Sequence, residues 1–328
     1  MASGSEMRER DSAPVHPAPR VCYLPEDRAP SSHALATFGF GAHAATYDDP
    51  RHLRLAMEPL GMSMGEEWRV SSPVTFGREG ALRWSRGGGW LYAAIELDED
   101  EHGGPEATAA RAYDALSRFV AGSPECHVQR IWNYLADINL GTGDDERYKH
   151  FCNGRIVGMG DIFANGYPAA TAIGHHDAAK ILQVYLLATD RPGTRVENPR
   201  QVSAWQYPRQ YGRTPPSFAR ATLLPADDVL AISGTASVVG HASAHRDDLD
   251  AQLGETLANL DALLTASHMP AGFDSYAPLK IYVRHADHAA RVHAFAAAHM
   301  PSAPLLVLHG DICRSDLLVE VDGWRYRA

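Results

Sequence analysis

Lysine is nearly missing from this chain. Only Lys149, Lys180 and Lys280 occur, so arginine carries almost all of the positive charge. With a formal net charge of −10, a general nucleic-acid surface is excluded, because such a surface needs a basic excess. Cysteine is also scarce. Cys22, Cys126, Cys152 and Cys313 stand far apart with no CxxC pair, which points to reduced thiols instead of a disulfide framework. No apolar run approaches the roughly 20 residues that span a bilayer, so no membrane helix is expected. The stretch 1–20 is polar and rich in Pro and Ser, without the apolar core of a signal peptide. A disordered leader and a cytoplasmic protein are the expectation. Arg86-Gly87-Gly88-Gly89 has neither a following helix nor a Lys-Ser/Thr, so it reads as a hairpin turn and not a phosphate loop. Ser233-Gly234-Thr235 lacks the surroundings of a nucleophile elbow. Gly174-His175-His176-Asp177 has no partner pair at metal-ligand spacing.

What is present is an α/β pattern, written twice. In the second half, strand-like Val229 to Gly240 is broken at Gly234, and Leu249, Leu253, Leu257, Leu260 and Leu264 then recur at helical spacing. Leu279 to Arg284 is a strand, Asp287 to His299 an Ala-rich helix that ends before Pro301, and Leu305 to Leu308 and Leu317 to Val321 are strands. The first half repeats this order more loosely. A hairpin of Ala81 to Ser85 with Trp90 to Leu97 leads to a helix over Pro105 to Val120 and a strand over His127 to Leu135. A helix over about Glu146 to Cys152 follows, then strands over Ala169 to Ile173 and Ile181 to Leu187. Two mixed sheets, each with helices on one face, are expected from an internal duplication, with units at 21–195 and 196–328. The first 70 residues show no usable pattern. Between the units, Glu197 to Arg220 is too rich in Tyr and Arg for a disordered linker and is expected to be an ordered functional loop.

The chemistry is concentrated in three segments that mix phenols with guanidinium groups. One runs from Arg147 through Tyr148 to Arg155. The second is the connecting loop with Tyr207, Tyr211 and Arg220. The third runs from Cys313-Arg314 to Glu320. If they converge, they form a pocket for a small, planar, multiply anionic molecule, since arginine grips carboxylates by paired hydrogen bonds. Glu320 directly follows Leu317, Leu318 and Val319. A carboxyl group buried there has a raised pKa and delivers a proton near neutral pH. Alternation in Val319-Glu320-Val321-Asp322 also allows an edge strand with Glu320 in water.

An ordered set of motifs resembles the chorismatase family. It comprises Ile131-Trp132-Asn133-Tyr134, Glu146-Arg147-Tyr148 with Gly154-Arg155, Glu197 to Ala204, Tyr207-Pro208, Tyr211-Gly212, Ser233 to Ser237 with Gly240-His241, and Asp311-Ile312-Cys313-Arg314 through Glu320. The resemblance implies two RidA/YjgF-like mixed-sheet halves. It also implies a cofactor-free enzyme, binding no metal, that releases pyruvate from chorismate. Members give a dihydroxycyclohexadienoate, 3-hydroxybenzoate, or a mixture of 3- and 4-hydroxybenzoate. On this resemblance Glu320 is the acid that protonates the enol ether, Arg155 and Arg220 hold the carboxylates, and Tyr148 and Tyr207 are hydroxyl partners. A cysteine at position 313 marks members that aromatise to 3-hydroxybenzoate, the expected main product. No Arg-based imine-hydrolysis signature precedes Glu320, so imine deamination is not expected. A mixed-product enzyme, a diol-forming one, or a RidA-like module that binds a small anion without turnover are the alternatives. Oligomeric state is not legible.

Overall fold

In the computed structural model, residues 16–25 and 28–327 are described. The expected leader lies outside the described residues as far as residue 15. Just after it, Pro17 O accepts a hydrogen bond from Trp90 Nε1 at 2.8 Å, and Pro19 O accepts one from the Tyr326 hydroxyl at 2.7 Å.

The duplication is visible strand by strand. The first unit runs through strands Thr75–Glu79, Leu82–Gly87 and Trp90–Asp98, helix Pro105–Ala121, strand His127–Ala136, helix Arg147–Met159, and strands Ala169–His175 and Ile181–Thr189. The second runs through strands Thr194–Val196, Ala221–Leu223 and Val229–Ala236, helix Leu249–Ala266, strand Leu279–Val283, helix Ala289–His299, and strands Leu305–His309 and Val319–Tyr326. In both sheets the last strand inserts between the third and the fourth, and only the fourth and fifth strands are parallel. A two-residue strand from the second unit, Asp311–Ile312, pairs with Ala169–His175 and extends the first sheet.

Burial follows the period of two along each strand. In the first sheet, Leu91, Ala93 and Ile95 pack with Ala109, Tyr113 and Leu116 beneath the helices, whereas Tyr92 and Ala94 face the other way. In the second sheet, Val319 and Val321 pack with Leu253, Leu260 and Val292. Each sheet therefore carries helices on one face. The opposite faces meet in a central core of Trp90, Tyr92, Trp132, Tyr185, Tyr282 and Trp324. That core is closed by a third layer, the sheet of Arg20–Leu24, Gly65–Arg69, Ala34–Phe40 and His52–Leu55, which contributes Phe38 and Trp68.

Two elements differ from the sequence reading, each for a local physical reason. The helix expected to end at Cys152 continues to Met159. Gly154 and Gly158 would break an exposed helix, but here they are contact points. A Cβ on Gly154 would sit 1.9 Å from Glu106 O, and one on Gly158 would sit 2.2 Å from Ala110 O. The neighbouring helix thus packs against bare backbone. The stretch Val229 to Gly240 does form two strands, Val229–Ala236 and Val238–Val239, but the break falls at Ser237 instead of Gly234, where Val229–Ala236 continues through a register shift between Ile232 and Thr235. That irregularity makes room at Gly234, where a Cβ would lie 1.9 Å from Glu320 Oε1.

Candidate active site

Glu320 lies on an interior strand, between Val229–Ala236 and Leu279–Val283, and is 5% exposed. The water-facing edge-strand alternative is therefore ruled out. Val319 and Val321 point to the helix layer, so Glu320 and Asp322 share the opposite face. Glu320 opens onto a cavity of about 460 Å³ at the seam between the two units.

All six residues singled out from the sequence line this cavity: Glu320, Cys313, Tyr148, Arg155, Tyr207 and Arg220. Their positions follow from the elements that carry them. Tyr148 and Arg155 are seven residues apart on one helix, two turns along the same face, with Cys152 between them. Tyr207 and Arg220 come from the connecting loop, which is ordered by two short 3-10 turns at Ala204–Gln206 and Arg209–Tyr211. Cys313 follows the two-residue strand that crosses to the first sheet. Not every part of the three segments converges. Arg147 turns away to pair with Glu99, while Arg209 and Arg213 pair with Asp144 at the surface.

The cations of the cavity are held differently from one another. Arg220 Nη2 donates to the Tyr207 hydroxyl at 2.6 Å and to Val202 O at 2.8 Å, while its Nε has no partner among the described residues. Arg314 Nη1 donates to His241 O at 2.9 Å, and its guanidinium lies 4.1 Å from the Tyr211 ring centroid. Arg155 is 3% exposed, and its Nε and Nη2 have no hydrogen-bond partner among the described residues. A buried guanidinium without an acceptor is costly unless a ligand supplies one.

The acid and the thiol are both shifted upward. Burial, and then the charge of Asp322, push the Glu320 carboxyl up to about 8, against the pull of Arg130, Arg220 and Arg314. Burial, with Glu320 beside it, pushes the Cys313 thiol up to about 12. Burial also raises Tyr148, with Cys152 and Cys313 as further causes. Near neutral pH the site thus presents a protonated carboxyl, a neutral thiol and a neutral phenol among guanidinium groups.

Behind Glu320 lies a layer the sequence reading did not reach. Asp322 is fully buried, and its Oδ2 accepts from Thr171 Oγ1 at 2.7 Å, Trp132 Nε1 at 3.1 Å, the Tyr282 hydroxyl at 3.1 Å and Arg130 Nη2 at 3.3 Å. The available signal was Arg130, a charged residue two positions before Trp132 and four before Tyr134 on the face of a buried strand. Elsewhere, His175 is buried with Nε2 2.8 Å from Ile181 O. Among the described residues no group of three or more His, Cys, Asp or Glu could hold a metal ion.

A buried carboxylic acid facing arginines in a seam cavity suits a small anionic ligand. Comparison with known proteins makes this specific. Residues 66–188 match the family described as "Chorismatase FkbO/Hyg5-like, N-terminal". A 3-hydroxybenzoate synthase of Streptomyces hygroscopicus is 33% identical over 81% of this chain and 82% of its own length. A chorismatase of the same organism is 34% identical over 79% of this chain and 78% of its own. A chorismatase crystal structure superposes with a TM-score of 0.84 at 27% identity, covering 95% of this chain and 100% of that one. The chain belongs to the chorismatase family.

Proposed function

We propose that this enzyme releases pyruvate from chorismate and leaves mainly 3-hydroxybenzoate. The observation that carries the reading is Glu320, a buried acid facing a cavity lined by Arg155, Arg220 and Arg314. Chorismate is a dianion with an enol ether, and the arginines offer its carboxylates charge-assisted donors. Arg155, with two nitrogens unpaired among the described residues, has the most to gain from such a ligand. Tyr148 and Tyr207 supply hydroxyl partners that fix the ring.

In the proposed sequence Glu320 gives its proton to the methylene carbon of the enol ether. The resulting oxocarbenium ion weakens the bond between the ether oxygen and the ring. The ring hydroxyl displaces that oxygen and loses its own proton, and pyruvate departs as the keto acid. Opening of the strained ring ether and loss of a ring proton restore aromaticity, and the oxygen stays at the position pyruvate left. No water is consumed: of the two protons the substrate gives up, one restores Glu320 and the other ends on the phenol oxygen. Cys313 acts as a neutral thiol, donating to the oxygen as the intermediate opens; its raised pKa suits a donor, not a nucleophile.

Chromatography after incubation with chorismate alone tests the product. Pyruvate and 3-hydroxybenzoate in equal amounts are expected. A diol, or comparable amounts of 4-hydroxybenzoate, would overturn the product assignment while keeping pyruvate release. Cys313→Ala is expected to keep pyruvate release within about tenfold of wild type, the size of one weak donor, and to shift product away from 3-hydroxybenzoate. Equal loss of every product would assign the thiol to packing instead.

A further inference from the structure

We propose that Asp322 is a positioning residue for pyruvate release, acting on Glu320 by charge along one face of one strand. The proposal rests on Glu320 being the acid. The two residues are separated by a single position of Val319–Tyr326, so their Cα atoms stand about 6.5–7 Å apart with both side chains on the inter-sheet face. Asp322 is locked in place by four donors from three strands. Arg130 and Trp132 come from His127–Ala136, Thr171 from Ala169–His175, and Tyr282 from Leu279–Val283. Arg130 Nη2 also donates to Thr171 Oγ1 at 2.5 Å, and Tyr134 and Tyr282 share a hydroxyl contact at 2.8 Å. Four hydrogen bonds on one oxygen leave a rigid carboxylate, while Oδ1 has no partner among the described residues.

The charges that face Glu320 come from every side. Asp322 is on its own strand, Arg130 is on the neighbouring sheet, and Arg220 comes from the connecting loop. Cys313 and Arg314 precede it, and Arg284 lies beyond Leu279–Val283. Tyr148, Cys152, Arg155 and Arg246 lie on the far cavity wall or behind it, and Lys280 is engaged by Glu66 next to Asp322. Val229–Ala236 brings only Gly234 and Ala236 to the cavity. Glu146, Lys149 and Asp316 also line the cavity, but Asp322 is the carboxylate that acts most strongly on Glu320, within a ring of guanidinium groups that would otherwise draw its proton away. Without Asp322 the acid would ionise too early, and the proton needed for the enol ether would be absent at neutral pH.

The test is the pH profile of kcat/KM for chorismate in wild type, Asp322→Asn and Glu320→Gln. Activity that needs protonated Glu320 is present below its pKa and lost above it, so wild type is expected to show an alkaline limb near pH 8. In Asp322→Asn the limb is expected to fall by about one to two pH units, with most activity recovered at acid pH. Arg130→Gln combined with Asp322→Asn removes both charges of the buried pair, which keeps the interior neutral if the single variant does not fold. Its limb is expected to remain below that of wild type. An unmoved limb, or a loss equal at every pH, would overturn the proposal and leave Asp322 a purely structural residue. Glu320→Gln separates the two claims. If it is inactive while the Asp322→Asn limb stays put, only the role of Asp322 fails. If it keeps the wild-type profile, the acid assignment fails first, and Asp322 with it.

Discussion

At the scale of single residues, a carboxyl group poised to give up a proton weakens the fold that holds it. The Glu320 carboxyl rises from an ordinary 4.5 to about 8 on folding. Between those values the folded chain keeps a proton that the unfolded chain has released. The stability tied to that proton is fully present below pH 4.5 and is lost as pH rises through 8. Glu320→Gln cannot titrate and escapes the loss. In urea unfolding the variant is expected to gain on wild type as pH rises from 5 to 9, by about 3–5 kcal/mol in total. A gap that stays constant with pH would show that Glu320 titrates normally. The six candidate site residues were legible because phenols, guanidinium groups and an acid inside an apolar run are unusual locally. Asp322 and Arg130 were not. Their importance comes from a contact across 192 positions of sequence, and nothing in Val319-Glu320-Val321-Asp322 says which acid faces the cavity and which is sealed behind it.

At the scale of elements, the strand Val229–Ala236 and the helix Arg147–Met159 show how glycine misleads a sequence reading. In both, glycine looks like a break because its intrinsic propensity is poor. In both, the absent side chain is what lets a neighbour approach: Glu320 Oε1 at Gly234 and the Glu106 carbonyl at Gly154. Most of the longer strands and helices of the two units were legible because their apolar periods of two and of about 3.6 are long and clean, whereas short strands such as Thr194–Val196, Ala221–Leu223 and Asp311–Ile312 carried too few residues to show a period. Gly234→Ala is expected to push the Glu320 carboxyl from its place while the strand persists. A displacement near 1 Å lowers kcat by about 100-fold, with the far-ultraviolet circular dichroism spectrum unchanged. A kcat within twofold of wild type would mean that Glu320 relaxes without consequence.

At the scale of the whole molecule, two copies of one α/β unit turn their helix-free faces inward, and a third sheet from 20–69 covers the gap. That sheet escaped the sequence reading because its four strands are short and its pairing includes a parallel step between Ala34–Phe40 and His52–Leu55 that no local pattern announces. It is tied to the second unit by a fully buried pair, Lys280 Nζ to Glu66 Oε2 at 3.1 Å, with Trp68 Nε1 donating to Glu66 Oε1 at 2.6 Å. Removing one partner strands a charge in a dry core, so Lys280→Met is expected to destabilise the protein by about 3–5 kcal/mol. Adding Glu66→Leu to it is expected to restore most of that loss, as read by denaturant midpoints. If the double variant is as weak as the single one, the pair does not stand alone energetically and the layers depend on it in some other way.

The central claim is that Glu320 supplies the proton that frees pyruvate. Its most direct test is single-turnover release of pyruvate from chorismate by wild type and by Glu320→Gln, with the variant's fold checked by its thermal melt. The account predicts a folded variant that binds chorismate and releases pyruvate at least about 1,000-fold more slowly, toward the upper range for loss of a general acid. A folded Glu320→Gln that releases pyruvate at the wild-type rate would contradict it.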